Sequence, residues 1–301
     1  MIGAVDIGGT KTAVGAVRED GSIAARLECP TAPELGFQAA MERVTGMLRE
    51  AISGNGERYA GIGVACPGPL DPFTGIIGDV GTLPGWQGGN LAEELGRAFG
   101  VRVAVENDAD AAALAEVSWG SAKGASRFIY ITVSTGIGGG IILGGELYRG
   151  VDGAHPELGH QVIDASGPLC YCSAQGCWES LASGPAMSAW VREQSPRENL
   201  TAAQICEKAR AGDALAMRAV EREGHYLGLG LANLVTLFAP SVIALGGGVM
   251  KSADLILDRA HDVIRRICTQ VPQEKTELRL ASLGADTGLI GAARAYLHRY
   301  D

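Results

Sequence analysis

The pattern that most restricts the fold occurs twice. Ile2 to Val5 is a short apolar run, followed by the glycine loop Asp6-Ile7-Gly8-Gly9-Thr10-Lys11 and a second run, Thr12 to Val17. A hairpin signal at Asp20-Gly21 then leads to a third strand, Ile23 to Cys29. The same order returns with Phe128 to Val133, the glycine-rich Ser134-Thr135-Gly136-Ile137-Gly138-Gly139-Gly140, Ile141 to Leu143, a Gly144-Gly145 turn and Glu146 to Tyr148. Strand, glycine loop, strand, turn, strand, found twice in one chain, predicts two like α/β domains. Facing each other, they would aim both glycine loops at one central cleft.

Each loop joins strand to strand, whereas a P-loop or a dinucleotide fingerprint needs a helix after its glycines. The chemistry still suits phosphate: Gly8 and Gly9 let backbone N–H groups approach an anion, Thr10 adds a hydroxyl and Lys11 a positive charge. Asp6, at the mouth, is placed to hold Mg²⁺ through water. A plain glycine turn accounts for the same residues.

Between the copies, an apolar stripe predicts a helix from Phe37 to Ile52, and Tyr59 to Cys66 reads as a buried strand stopped by Pro67-Gly68-Pro69. Asn90 with Glu93 three residues on has the form of a capping box, and Val101 to Val105 is another strand. Glu106-Asn107-Asp108 then leads into an alanine-rich helix, Ala109 to Val117. Asp108 suits a helix N-cap and equally a proton acceptor at the carboxyl end of a strand, two compatible roles. Further on, Asp213 starts a long helical stretch, expected to be interrupted at Gly228 and Gly230. Ser241 to Leu245 is a strand ending in Gly246-Gly247-Gly248, which admits either a nucleoside or only a tight turn.

One imidazole and three thiols crowd into Glu157-Leu158-Gly159-His160, Cys170-Tyr171-Cys172 and Gly176-Cys177-Trp178-Glu179. His160, Cys170, Cys172 and Cys177 make a Cys₃His set suited to structural, tetrahedral Zn²⁺; ordinary buried thiols beside a surface histidine are the alternative. Metal on one nitrogen of His160 leaves the other for a second partner such as a sugar hydroxyl, with Glu157 and Glu179 aiming acceptors into the same space.

The other cysteines, Cys29, Cys66, Cys206 and Cys268, show no framework spacing, so a reducing, cytoplasmic setting is expected. With 301 residues, 47% hydrophobic, the chain can bury a large core, and no apolar run reaches membrane-spanning length. A net charge of -9 argues against a nucleic-acid-binding face. No signal peptide is read at Met1-Ile2-Gly3-Ala4-Val5-Asp6.

Asp6-Ile7-Gly8-Gly9-Thr10-Lys11, Glu106-Asn107-Asp108-Ala109, the second glycine loop, Glu157-Leu158-Gly159-His160 and the Cys170-x-Cys172-x₄-Cys177-x-Glu179 knot occur here in an order that resembles the ROK family of bacterial sugar kinases and related repressors. The resemblance implies two actin-like, ribonuclease-H-like domains flanking a central cleft, with a zinc-binding segment. The expected division is 1–118 plus 288–301 for the smaller domain and 119–287 for the larger. It also implies an ATP-dependent hexose kinase, usually a homodimer, with glucose the leading substrate and fructose or N-acetylhexosamines the alternatives. Asp108 would be the general base, while Gly68, Asn107, Asp108, Glu157, His160 and Glu179 would bind the sugar. Asp6, Gly8, Gly9, Thr10, Lys11, Thr135, Gly136, Gly246, Gly247 and Gly248 would face ATP and Mg²⁺. Ser134, Thr82 and Asp110 depart from the family's usual Gly, Asn and Asn. Family repressors carry a helix-turn-helix ahead of the first glycine loop, and none is expected ahead of Asp6.

Overall fold

A computed structural model describes residues 1–53 and 58–301. In chain order the elements are β1 (Ile2–Ile7), β2 (Lys11–Val17), β3 (Ile23–Pro30), α1 (Phe37–Ala51), β4 (Gly61–Cys66), α2 (Leu91–Phe99), β5 (Val103–Asn107) and α3 (Asp108–Trp119). Next come β6 (Arg127–Val133), β7 (Ile137–Leu143), β8 (Glu146–Leu147), α4 (Trp178–Leu181), α5 (Gly184–Gln194), α6 (Ala202–Arg210) and α7 (Ala214–Phe238). The chain finishes with β9 (Val242–Gly246), α8 (Ala253–Ile267), β10 (Glu277–Leu280) and α9 (Thr287–Tyr300). It divides into two compact units: Met1–Ser126 with Gly140–Pro156 and Ala281–Asp301, and Arg127–Gly139 with Glu157–Leu280. These bounds differ from the sequence-derived ones at 119–126, 140–156 and 281–287, which pack with the N-terminal unit.

The first unit holds a sheet of order β3-β2-β1-β4-β5, in which β1, β2 and β3 run antiparallel and β4 and β5 lie parallel to β1. Val5, Ile7, Val14, Ile62 and Val64 bury one face under Val44 and Leu48 of α1 and Leu91 and Leu95 of α2. The other face is lined by small residues, Ala4, Ala13, Ala65 and Ala104, against Leu289, Ala292, Ala293 and Tyr296 of α9. The small residues are needed because α9 lies directly on the strands: a Cβ added at Gly63 would fall 1.7 Å from the carbonyl oxygen of Ala292. For the same reason α3 is alanine-rich. Ala109 to Glu116 are all buried, so the helix has neighbours on every side and carries no polar face.

The second sheet has the order β10-β9-β6-β7-β8, with β6, β9 and β10 parallel and β7 antiparallel to β8. Read from its other edge it is 8-7-6-9-10, the connectivity of 3-2-1-4-5, so the repeat seen in the sequence is a repeat of topology. β7 starts at Ile137, three residues into the expected second loop, so that Gly138 to Gly140 are strand. Gly139 and Gly140 serve close packing: a Cβ on Gly139 would meet the Tyr130 carbonyl at 2.4 Å, and one on Gly140 would lie 2.8 Å from the Ala109 carbonyl.

The interruption expected at Gly228 and Gly230 is absent, and α7 runs unbroken through both. A Cβ on Gly228 would press on Ala260 and Val263 of α8, and one on Gly230 would lie 2.1 Å from the Trp178 ring. Packing, rather than a break in the helix, explains these two residues. Among the described residues no helix is long and apolar enough to cross a membrane.

Candidate active site and metal centre

In the first unit the expected site residues gather at the carboxyl ends of β1, β4 and β5, where open α/β sheets place ligands. Asn107 is the N-cap of α3: its side-chain oxygen accepts from the Ala109 and Asp110 amides at 2.9 and 3.4 Å. This corrects the assignment of the cap to Asp108, which is the first helical residue. Because Asn107 satisfies those amides, Asp108 is not needed as the cap. Its Oδ1 lies 2.8 Å from the Ala109 amide, where an anion is favoured by the helix dipole.

Asp6, next to last in β1, has its carboxyl pushed up to about 7, first by burial and then by the charge of Asp108, with Arg26 pulling the other way. Cys66, at the end of β4, is fully buried, and its thiol is raised by burial and by those two carboxylates. A Cβ on Gly68 would lie 3.3 Å from Asn107 Nδ2, so the turn after β4 sits beside the cap. In the first glycine loop the Gly8 amide donates to the Lys11 carbonyl at 2.8 Å and the Gly8 carbonyl accepts from Thr31 Oγ1 at 2.6 Å. Gly9 lies against Thr82, Thr10 is exposed, and the exposed Lys11 ammonium is paired with Glu28 at 2.8 Å.

In the second unit Glu179, on the one-turn helix α4, accepts from the Ile137 amide at 2.8 Å, and a Cβ on Gly136 would fall 2.3 Å from the same oxygen. The second glycine turn and the end of the cysteine knot are thus joined through Glu179. Gly159 is needed where Glu157-Leu158-Gly159-His160 crosses β7, since a Cβ there would lie 2.0 Å from the Ile137 carbonyl.

A cavity of about 660 Å³ in this unit is lined by Thr135 and Gly248, together with Thr201, Cys206, Arg210 and Lys251. Gly246 and Gly247 are not among its lining residues. Gly247 holds φ +91° with its Cα against Val133, a conformation and a contact that only glycine tolerates. The last four lining residues were not read from the sequence. They come from α6 and the turn before α8, and carry no motif. Arg210 is held by a two-pronged bond to Asp254, at 2.7 and 3.1 Å.

The cysteine knot is assembled as expected. One donor atom from each of His160, Cys170, Cys172 and Cys177 lies within 4.8 Å of the others. Cys170 Sγ is 3.6 Å from His160 Nδ1 and Cys172 Sγ is 3.5 Å from Cys177 Sγ, separations that suit one tetrahedral ion with S₃N ligation. His160 Nε2 meets the Tyr171 hydroxyl at 2.9 Å, so the nitrogen expected to face a sugar has a protein partner here. Tyr171 is itself 80% exposed.

The profile of the ROK family matches residues 2–299. A glucokinase of Thermotoga maritima is 31% identical over 302 residues, covering 96% of this chain and 95% of that protein. The xylose repressor of Bacillus subtilis is 32% identical over 241 residues, covering 80% of this chain and 62% of the repressor. Among solved structures, a ROK hexokinase from Thermus thermophilus superposes with TM-score 0.87 at 37% identity, covering 99% of this chain and 98% of that one. A ROK glucokinase from Streptomyces griseus, in complex with glucose and AMPPNP, gives 0.80 at 32% identity, covering 100% and 99%.

Proposed function

The chain belongs to the ROK family, and on that premise we propose that it is an ATP-dependent hexose kinase acting on a primary hydroxyl, with glucose as its preferred sugar. The observation that carries the reading is Asp108. It stands at a strand's carboxyl end on the first turn of α3, relieved of capping by Asn107 and close enough to Asp6 to raise that residue's pKa.

Phosphoryl transfer passes through a loose transition state and asks the protein chiefly for positioning and charge stabilisation. In this scheme Asp108 accepts the proton of the attacking hydroxyl late, with an ordinary carboxylate. Gly68, Asn107, Glu157, His160 and Glu179 hold the remaining sugar hydroxyls. Gly8 to Lys11 and Thr135-Gly136 take the phosphates, and the cavity bearing Gly248 takes the nucleoside. Asp6 is the carboxylate for Mg²⁺, whose charge would favour its ionised form. His160, Cys170, Cys172 and Cys177 fit zinc by donor type and spacing. Bound there, zinc would brace the knot, and Glu179 would remain anchored on the Ile137 amide. The working form is taken as a cytoplasmic homodimer, which light scattering of the purified protein checks.

The deciding experiment measures turnover with ATP against glucose, fructose, mannose, N-acetylglucosamine and N-acetylmannosamine, with polyphosphate as a second donor. Glucose with ATP is expected to give the highest kcat/KM. Sugar binding without turnover on any of the five would replace the kinase with a sugar-responsive regulator, the other activity this family contains.

A further inference from the structure

Asp110 is 1% exposed on the first turn of α3, and its Oδ1 has no hydrogen-bond partner among the described residues. Its Oδ2 lies 2.8 Å from His155 Nδ1. An N–H on His155 Nδ1 would donate to that oxygen. A buried carboxylate with one oxygen unmatched depends heavily on the partner that the other oxygen keeps.

A second tie runs beside the first. Glu106, 2% exposed at the end of β5, is bonded to Arg149, and Arg299 stands 3.7 Å from the same oxygen. Residues 106 and 110 bracket Asn107 and Asp108, while 149 and 155 lie at either end of one short loop. That loop closes on itself through the Gly150 amide and the Ala154 carbonyl at 2.7 Å. Two residues past His155 the chain reaches Glu157, the start of the Glu-x-Gly-His turn.

We propose that Asp110 and His155 are positioning residues for the sugar-binding turn of α3: their bond fastens the loop between Arg149 and Pro156 to the same helical turn that carries Asp108. The turn that bears the base is then held by a buried pair. The inference rests on the kinase reading for the identity of the ligand, though not for the existence of the tie. An asparagine at position 110 could still accept from His155 Nδ1, so Asp110→Asn separates the bond from the charge.

The test is a double-mutant cycle with Asp110→Ala, His155→Ala and the pair, together with Asp110→Asn. Each alanine variant is expected to lower kcat/KM for the hexose roughly tenfold to a hundredfold, the scale of a misplaced reacting group. KM for ATP should stay within about twofold, the double variant should be no worse than either single one, and Asp110→Asn should retain most activity. Additive losses, equal losses in the ATP and hexose constants, or Asp110→Asn as damaged as Asp110→Ala would overturn the proposal. If Asp110→Ala does not fold, His155→Ala and Asp110→Asn decide it by the same criteria. Should the wild type phosphorylate no hexose, the kinase reading fails and amide hydrogen exchange still tests the tie. Faster exchange confined to 150–161 in His155→Ala supports it, and unchanged exchange there overturns it.

Discussion

Glu223, in the middle of α7, has no exposed surface, and neither of its oxygens has a hydrogen-bond partner among the described residues. Burial lifts its carboxyl from the ordinary 4.5 to about 8, with Arg222 opposing. The folded chain therefore holds this proton more tightly than the unfolded chain. The group's contribution to stability is complete below about 4.5 and is lost as pH rises through about 8. Glu223→Gln should melt like the wild type at about pH 4, below the unfolded carboxyl's pKa, and gain on it as pH rises, being more stable by about 1–3 kcal/mol above pH 8, in thermal unfolding followed across pH. The same sign applies to Asp6, over the window from 3.8 to about 7. For Asp108, replacement by Asn should lower kcat by about 10²–10⁴-fold while sugar affinity, read by calorimetry, is retained. Asp108 could be picked out as a candidate because a carboxylate after a strand is a local pattern. Glu223 could not, because burial of one acid inside a helix that also carries Arg222 and His225 leaves no trace in sequence.

At the scale of single elements, strands and helices were read largely where the structure has them, since alternation and 3.6-residue periodicity are written locally. The departures share a cause. Gly138, Gly139, Gly140, Gly228 and Gly230 were taken as loop or helix interruption, and each instead lies within an intact element, with Gly139, Gly140, Gly228 and Gly230 pressed against a neighbour. A glycine in sequence does not say whether it is there for its backbone freedom or for its missing side chain. Gly230→Ala separates the two. Helix propensity alone would favour alanine by about 1 kcal/mol. Contact with Trp178 should reverse the sign and destabilise by about 1–3 kcal/mol, as denaturant unfolding will show. The Asn107 cap was missed for a related reason: two adjacent polar residues both suit an N-cap, and only backbone angles decide which takes it.

Over the whole molecule the repeat was the feature most fully legible, because each copy carries its own glycine turn. The cavity walls from α6 and α8's approach were not, since they converge only through folding. The cysteine knot makes a molecule-wide prediction. Trp178 adjoins Cys177 and is fully buried, so its fluorescence reports on the second unit. Chelation at neutral pH should shift that signal and lower the melting temperature, with hexose affinity falling before ATP affinity. A demonstrably zinc-free protein with unchanged sugar affinity would deny the metal any part in the sugar site.

The first unit is assembled from segments nearly three hundred residues apart, with Leu289, Ala292, Ala293, Tyr296 and Leu297 sealing a sheet begun at Ile2. A nascent chain must therefore keep the alanine-lined side of that sheet uncovered until α9 has cleared the ribosome. Truncations that remove α9 should expose it permanently, yielding aggregates rather than a smaller soluble lobe.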